Sequence, residues 1–386
     1  MASILDDIAK ETGGKSFKTF KYGFDGIEVP RFDYDDHQQG FVWKRYGETV
    51  KHNGSAIPLK QRADQIIGEQ PLFRYFLDGS RKAYKVDDMS YRHQIFPIIA
   101  GQIGVGCCQR VKGTMLPLKG KCDRHLVISL PKIAKSSDWD DDELSFEHLR
   151  KCLNEKVEIS SKGVSFSKIM PYSTNVEQGN KIENKGIAAI QDYMTQCEKT
   201  MVAKLVKDGY LLPDRFLLKD GSLEYQVLSI TSPTELARFR NNYQFVVGAS
   251  KSFNPAYCID KNGSNNSSLI AQLPLYSRTP VQMYSSPRIG DMEFAVWFVR
   301  IREGRYTNNA FDGILKLEKI LVTQRQMDEG LDSEEVDIIT ANIINERNPV
   351  CYGVDRRWAN HLYPIYVTEC YVKSKYLSNS MFLNLF

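Results

Sequence analysis

Two runs of this chain, "RYFLDGSRKAYKV" (74–86) and "RFLLKDGSLEYQV" (215–227), carry apolar and aromatic residues up to an Asp-Gly-Ser step. Such runs read as strands, and Asp-Gly is a common turn, so each alone is a hairpin. Taken together they place Asp78 and Asp220 at or near the carboxyl ends of two strands. If those strands are neighbours in one mixed sheet, both carboxylates point into the crevice outside the strand ends. The small Gly and Ser that follow each Asp would let a phosphate backbone approach.

The segment between the two runs narrows the choice. Residues 183–207, "ENKGIAAIQDYMTQCEKTMVAKLVK", read as a long amphipathic helix. Ile187, Ile190, Met194, Met201 and Leu205 fall at offsets 0, 3, 7, 14 and 18, which is one face. Offset 11 on that face is Glu198. A carboxylate on a core-facing stripe needs a cation, a metal or the edge of the stripe. Asp192 falls among polar positions and reads as solvated.

Around this unit the texture alternates. From about residue 72, "FRYFLDGSR", "AYKVDD", "HQIFPIIAGQIGVGCC" and "RHLVISLPK" suggest adjacent antiparallel strands. "TELARFRNNY" is helical, and "QFVVGASKSF" (244–253) is a strand that stops at Gly248 with Lys251 just beyond. Residues 293–301 and 313–321 read as two further strands. "SEEVDIITANIINERNP" is a helix, and the closing "WANHLYPIYVTECYVKSKYL" is helical in its second half, with Pro364 near the start. Strands alternating with helices give an α/β chain with a mixed sheet. Residues 1–66 read as an N-terminal extension and 67–386 as the main domain.

Composition excludes several classes. The net charge of +4 is compatible with a nucleic-acid partner without requiring one. The eight cysteines include no C-x-x-C pair, and the six histidines are scattered, so no structural zinc site is expected. Scattered cysteines suit a reducing cytoplasm. The N-terminus is acidic where a signal peptide would be basic, and the longest apolar stretch (95–108) is too short and Gly-rich to cross a membrane. "TGGKS" (12–16) lacks the earlier glycine and preceding strand of a phosphate loop. The acidic run 138–143 reads as a loop and helix start rather than a metal cage.

Asp78, Glu198 and Asp220 are hard oxygen donors of the kind that Mg²⁺ or Mn²⁺ takes. Two such ions could activate a water and stabilise the leaving oxygen of a phosphodiester. Lys251 reads either as a solvated lysine or as a cation that holds a phosphate.

The order of motifs resembles the NurA nucleases, partners of the HerA hexameric DNA translocase. It runs Asp-Gly-Ser, a helix with a Glu, "LLKDGSL", "VVGASKS", "AVWFVRI…GILKLEKI" and "HLYPIYVTECYV", from about Phe73 to Tyr371. The resemblance implies an RNase H-like core close to the Argonaute PIWI domain. It also implies Mn²⁺-dependent exo- and endonuclease activity on DNA, a homodimer, and a HerA-type ATPase as partner in end processing or phage defence. Carried over residue by residue, Asp78 and Asp220 match the metal aspartates and Glu198 the helix glutamate. Lys251 falls in the Gly-x-Ser-Lys type motif, and Tyr363 and Pro364 match the C-terminal Tyr-Pro. Eight residues past that Tyr the family often has His or Asp, where this chain has Tyr371. Glu369 or His361 would then supply the last ligand or shuttle a proton, although Glu369 also reads as an exposed helix acid. The departure at Tyr371 keeps a second reading open: an inactive RNase H-like scaffold that dimerises and anchors a translocase on DNA. A third, an RNA-guided nuclease, lacks the guide-end-binding domains such proteins carry.

Overall fold

The computed structural model describes residues 4–17, 22–23, 42–52, 56–135, 141–175, 181–223, 232–254, 264–285, 292–307, 310–351 and 358–386. Its strands are β1 (Lys15–Phe17), β2 (Tyr22–Gly23), β3 (Val42–Tyr46), β4 (Ile57–Pro58), β5 (Phe73–Tyr91), β6 (Gln94–Val111) and β7 (Thr114–Pro131). They continue with β8 (Phe166–Tyr172), β9 (Phe216–Asp220), β10 (Val246–Ser250), β11 (Ser277–Arg278), β12 (Gln282–Ser285), β13 (Glu293–Arg300) and β14 (Ile314–Ile320). The helices are α1 (Ile4–Thr12), α2 (Lys60–Gln65), α3 (Asp142–Glu155), α4 (Val157–Ser160), α5 (Ile182–Lys207) and α6 (Pro233–Asn242). After them come α7 (Ser267–Ala271), α8 (Gln324–Glu329), α9 (Ser333–Glu346), α10 (Tyr363–Lys373) and α11 (Asn379–Leu383).

Among the described residues the strands join one mixed sheet, whose main path is β3-β12-β13-β14-β10-β9-β5-β6-β7-β8. β5, β9 and β10 run parallel to one another, and β7 runs parallel to β8. The described pieces before residue 67 add strands: β1 and β2 pair with the far half of β5, β3 with β12, and β4 with β11. Helices cover both faces. On one, α5 lays Ile187, Ile190, Met194 and Met201 on Leu77, Ile99 and Val105. On the other, Val336 and Ile339 of α9 and Ile365 of α10 share a core with Phe76, Leu218 and Val247. A third core at the far end of β5–β7 gathers Ile8, Phe146 and Phe382 around Tyr84 and Ile98.

The structure corrects two boundaries expected from the sequence. Asp78-Gly79-Ser80 is no turn. It lies inside the 19-residue strand β5, paired antiparallel with Gly106-Val105-Gly104. The chain reverses instead at Arg92-His93 and Lys112-Gly113, where consecutive positive φ angles (48° and 70°, 48° and 78°) make tight hairpins. The second difference is in β10, which runs through Gly248 to Ser250. A side chain at Gly248 would meet Leu223 and the Gly221 carbonyl, so this glycine admits the chain that folds back after Asp220. Of the acidic run 138–143, residues 138–140 lie outside the described residues. Asp141 does cap α3, accepting from the amides of Glu143 and Leu144.

Two glycines set the height of α10. A Cβ on Gly104 or Gly106 would come within 2.6 or 2.7 Å of a Val372 methyl, so their absent side chains form the shallow groove that α10 fills. Both glycines lie on the face that carries Asp78, directly opposite Ser80 and Asp78. Gly104→Ala is therefore expected to destabilise the protein by about 1–3 kcal/mol through overpacking. Adding Val372→Ala, which removes the obstructing methyl, should recover part of that loss in urea unfolding. A Gly104→Ala protein as stable as the parent would show that α10 does not depend on this contact.

Candidate functional site

β9 pairs with β5 only as far as Leu77↔Lys219 and ends at Asp220. Asp78 is the next residue along β5, so it stands where the parallel ladder stops. Asp220 lies beside Ala249 of β10, and Lys251 follows β10 directly. Three parallel strands thus present Asp78, Asp220 and Lys251 at one level.

Alternation decides which face each side chain takes. Phe76 and Leu218 belong to the core under α10, as Leu77 and Leu217 belong to the core under α5. By the same alternation Asp78 and Asp220 face α10, and Gly79 and Lys219 face α5. Glu369 reaches into the first group from α10. Lys251 Nζ lies 3.0 Å from Asp220 Oδ2 and donates to Glu369 Oε2 at 3.3 Å. Glu369 Oε1 accepts from Lys373 Nζ at 2.6 Å. The Lys251 carbonyl is held in turn by Asn360 Nδ2 at 2.6 Å. Asp78 is only 3% exposed, and its Oδ2 has no hydrogen-bond partner among the described residues.

Electrostatics follow from this crowding. Burial, and next the Asp220 charge, push the Asp78 carboxyl well above its ordinary value of 3.8. For Lys251, burial opposes the charge, but Asp220, Glu369 and Asp78 together outweigh it and raise the ammonium. For Glu369, burial is again the largest single effect, yet Lys251 and Lys373 prevail and hold the carboxyl at about 2. Three carboxylates thus share one buried ammonium, with Lys373 at the rim, half exposed.

Glu198 stands on the other face of the sheet from this group, near enough for its charge to act on Asp78 and for the Asp220 charge to act on it. It is buried on α5, as its place on the apolar stripe requires, but it approaches the sheet from the opposite face. Its carboxylate lies against Gly79, where any Cβ would collide with it. Lys219 Nζ pairs with Glu198 Oε2 at 3.1 Å. Of the resolutions open to a buried carboxylate, the cation is the one realised. Burial raises the Glu198 carboxyl, an effect that Lys219 partly offsets. His361 is 2% exposed and sits at the foot of α10, its ring edge-on to Tyr366 at 5.7 Å. Tyr371 lies on α10 two residues past Glu369.

Sequence reasoning passed over Lys219. The signal was present: a lysine inside the apolar run "FLLKD", on the strand that follows a helix with a carboxylate on its apolar stripe. It also passed over Lys316 and Glu318 of β14, a buried pair 2.7 Å apart on the α5 face.

The donors Asp78, Asp220 and Glu369 suit a hard divalent cation in kind, and among the described residues Asp78 Oδ2 has no hydrogen-bond donor. As arranged, the described residues hold no group of three or more His, Cys, Asp or Glu side chains placed to take a metal ion. The ammonium of Lys251 pairs with two of the three carboxylates.

No protein-family model and no curated protein matches the chain. Among solved structures it is similar to the NurA nuclease from Sulfolobus solfataricus, at 11% identity and a TM-score of 0.44, covering 89% of this chain and 85% of that one. Among the described residues no helix is long and apolar enough to cross a membrane.

The two shifted carboxyls have opposite signatures in the metal-free protein. A raised folded-state value makes the native state hold its proton, so the stability linked to Asp78 is full below 3.8 and is lost as pH rises through the raised value. Asp78→Asn should therefore raise the melting temperature at pH 7–8, with the gain fading toward pH 4. A lowered value works the other way. The contribution of Glu369 is full above 4.5 and is lost as pH falls toward 2. Glu369→Gln should cost on the order of 3 kcal/mol at pH 7 and almost nothing near pH 2. Thermal melts across this range check both signs.

Proposed function

We propose that the chain is a metal-dependent nuclease that hydrolyses phosphodiester bonds of DNA at the group formed by Asp78, Asp220, Lys251 and Glu369. The observation that carries the reading is the gathering of three carboxylates, Asp78 buried and Asp220 and Glu369 half-buried, around the buried Lys251 ammonium where β9 and β10 end beside β5, with one Asp78 oxygen unpartnered among the described residues. Such a group favours a divalent cation or a proton, and close-set carboxylates of this kind are a means of holding Mn²⁺ or Mg²⁺. Asp78 and Asp220 would be the ligands, with Glu369 beside them. A bound ion supplies charge neutralisation at the phosphate and a water acidified toward neutrality.

The chain's own residues do the rest. Lys251, freed from part of its carboxylate pairing, is the buried cation available to a phosphate oxygen. Glu369 stays ionised at neutral pH, so it orients a water rather than stores a proton. Gly79 does not serve the approach of a nucleic-acid backbone, because it faces α5 and its missing side chain makes room for Glu198. The RNase H-like description of the sheet, the homodimer, a HerA-type hexameric ATPase as partner, a cytoplasmic setting and a role in end processing or phage defence belong to the same proposal. The cytoplasmic setting rests on the scattered cysteines and the acidic N-terminus, and the others on the motif order.

One observation favours a second reading. Lys251 already neutralises Asp220 and Glu369, as it would in an inactive scaffold that keeps the fold and anchors a translocase. The test is purified protein on labelled linear DNA with Mn²⁺, alone and with a HerA-type ATPase. The nuclease reading expects cleavage that falls at least about 100-fold in Asp78→Asn and in Asp220→Asn. No cleavage in either setting supports the scaffold, and cleavage that survives Asp78→Asn removes the site assignment. Mn²⁺ should also compete with the proton on Asp78, so its affinity should rise with pH, by up to about tenfold per unit below the raised value. Calorimetry in two buffers of different ionisation heat reads the released proton.

A further inference from the structure

We propose that Glu198 and Lys219 act as a positioning pair, which fixes Asp220 from behind the sheet and binds no metal. The inference rests on the reading of Asp220 as a functional carboxylate.

The local chemistry is specific. Lys219 is 3% exposed and points to the face opposite Asp220. Its ammonium pairs with Glu198 and donates to the carbonyl of Asp220 at 2.6 Å and of Ser222 at 3.4 Å. One cation thereby gathers both sides of the bend at Gly221, whose φ of +80° and amide bond to the Ala249 carbonyl start the reversal. Glu318 closes the other end. Its Oε2 accepts from Ser222 Oγ at 2.8 Å and from the Leu223 amide at 2.5 Å, while Lys316 balances its charge at 2.7 Å. Leu223 then packs over Gly248. Two buried ion pairs thus hold residues 220–223, and these residues set the direction of the Asp220 carboxylate on the far face. Gly79 has a part here too, since a side chain there would displace Glu198.

A buried ion pair is costly to assemble, and deleting one partner strands the other charge. That expense is understandable where a turn must be held to a fraction of an ångström for the chemistry of its neighbour. The arrangement also explains why a carboxylate can lie close to Asp78 without joining it: the β-sheet backbone stands between them.

The experiment compares Glu198→Gln, Lys219→Met, Lys219→Arg and Asp220→Asn in the full chain. The readouts are Mn²⁺ affinity by calorimetry and hydrogen exchange of the 221–223 amides without metal. Glu198→Gln keeps an acceptor for Lys219 but leaves its charge unbalanced, so exchange at 221–223 should quicken while Mn²⁺ affinity stays within about threefold of the parent. Lys219→Met should speed exchange at 221–223 and weaken Mn²⁺ at least about tenfold. Lys219→Arg, which keeps the charge and the donors, should restore both toward the parent. If Lys219→Met does not fold, Glu198→Gln/Lys219→Met, which strands no charge, is compared on the same two readouts. The proposal is overturned if Glu198→Gln weakens Mn²⁺ as much as Asp220→Asn with exchange at 221–223 unchanged, because Glu198 is then a ligand. It is equally overturned if the lysine-free protein matches the parent in both readouts. A parent that binds no Mn²⁺ defeats the proposed cation site, and exchange alone then judges the pair.

Discussion

The ammonium of Lys251 is the interaction on which the rest of the site depends. Without it, Asp220 and Glu369 would be two half-buried carboxylates beside a third, with only Lys373 at the rim to offset them. With it and Lys373, Asp220 and Glu369 are balanced and Asp78 is left over. The fold spends much of its local specificity on bringing these groups together. The ends of β9 and β10, beside the interior of β5, supply Asp220, Lys251 and Asp78. Two glycines of β6 let α10 sink far enough for Glu369 to reach them.

The sheet then divides its charges between two faces. The α10 face carries the carboxylates with a deficit of cation. The α5 face carries Glu198–Lys219 and Lys316–Glu318, where each charge has a partner. The contrast separates holding from acting. Balanced pairs secure the turn after Asp220, while the unbalanced group has chemistry left to offer a cation or a phosphate.

Much of this was legible in the sequence, for physical reasons. The 3.6-residue period put Ile187 to Leu205 on one stripe and marked Glu198 as buried, and the structure agrees. The strands at 293–301 and 313–321 and the helix after Pro364 were readable from apolar runs and helix signals. What the chain did not disclose was the continuation of β5 through Asp-Gly-Ser. Asp-Gly is a turn signal only where the backbone is free to turn, and here a long antiparallel partner with its own glycines keeps it extended. Which face Glu198 approaches was hidden for a related reason. A stripe shows that a residue points inward, while its neighbours there are set by strand order and register. Lys219 was the missing half, and one lysine in a five-residue strand is too slight a signal to assign a partner on its own.

The central claim is that the unbalanced carboxylates on the α10 face form a cation site. The most direct measurement is a crystal structure grown with Mn²⁺ and examined by anomalous scattering. The expected result is an ion bonded to Asp78 and Asp220, with Lys251 displaced from part of its present pairing and Glu198 still on Lys219. An ion bonded to Glu198, or no ion at Asp78 and Asp220 at saturating Mn²⁺, would contradict it.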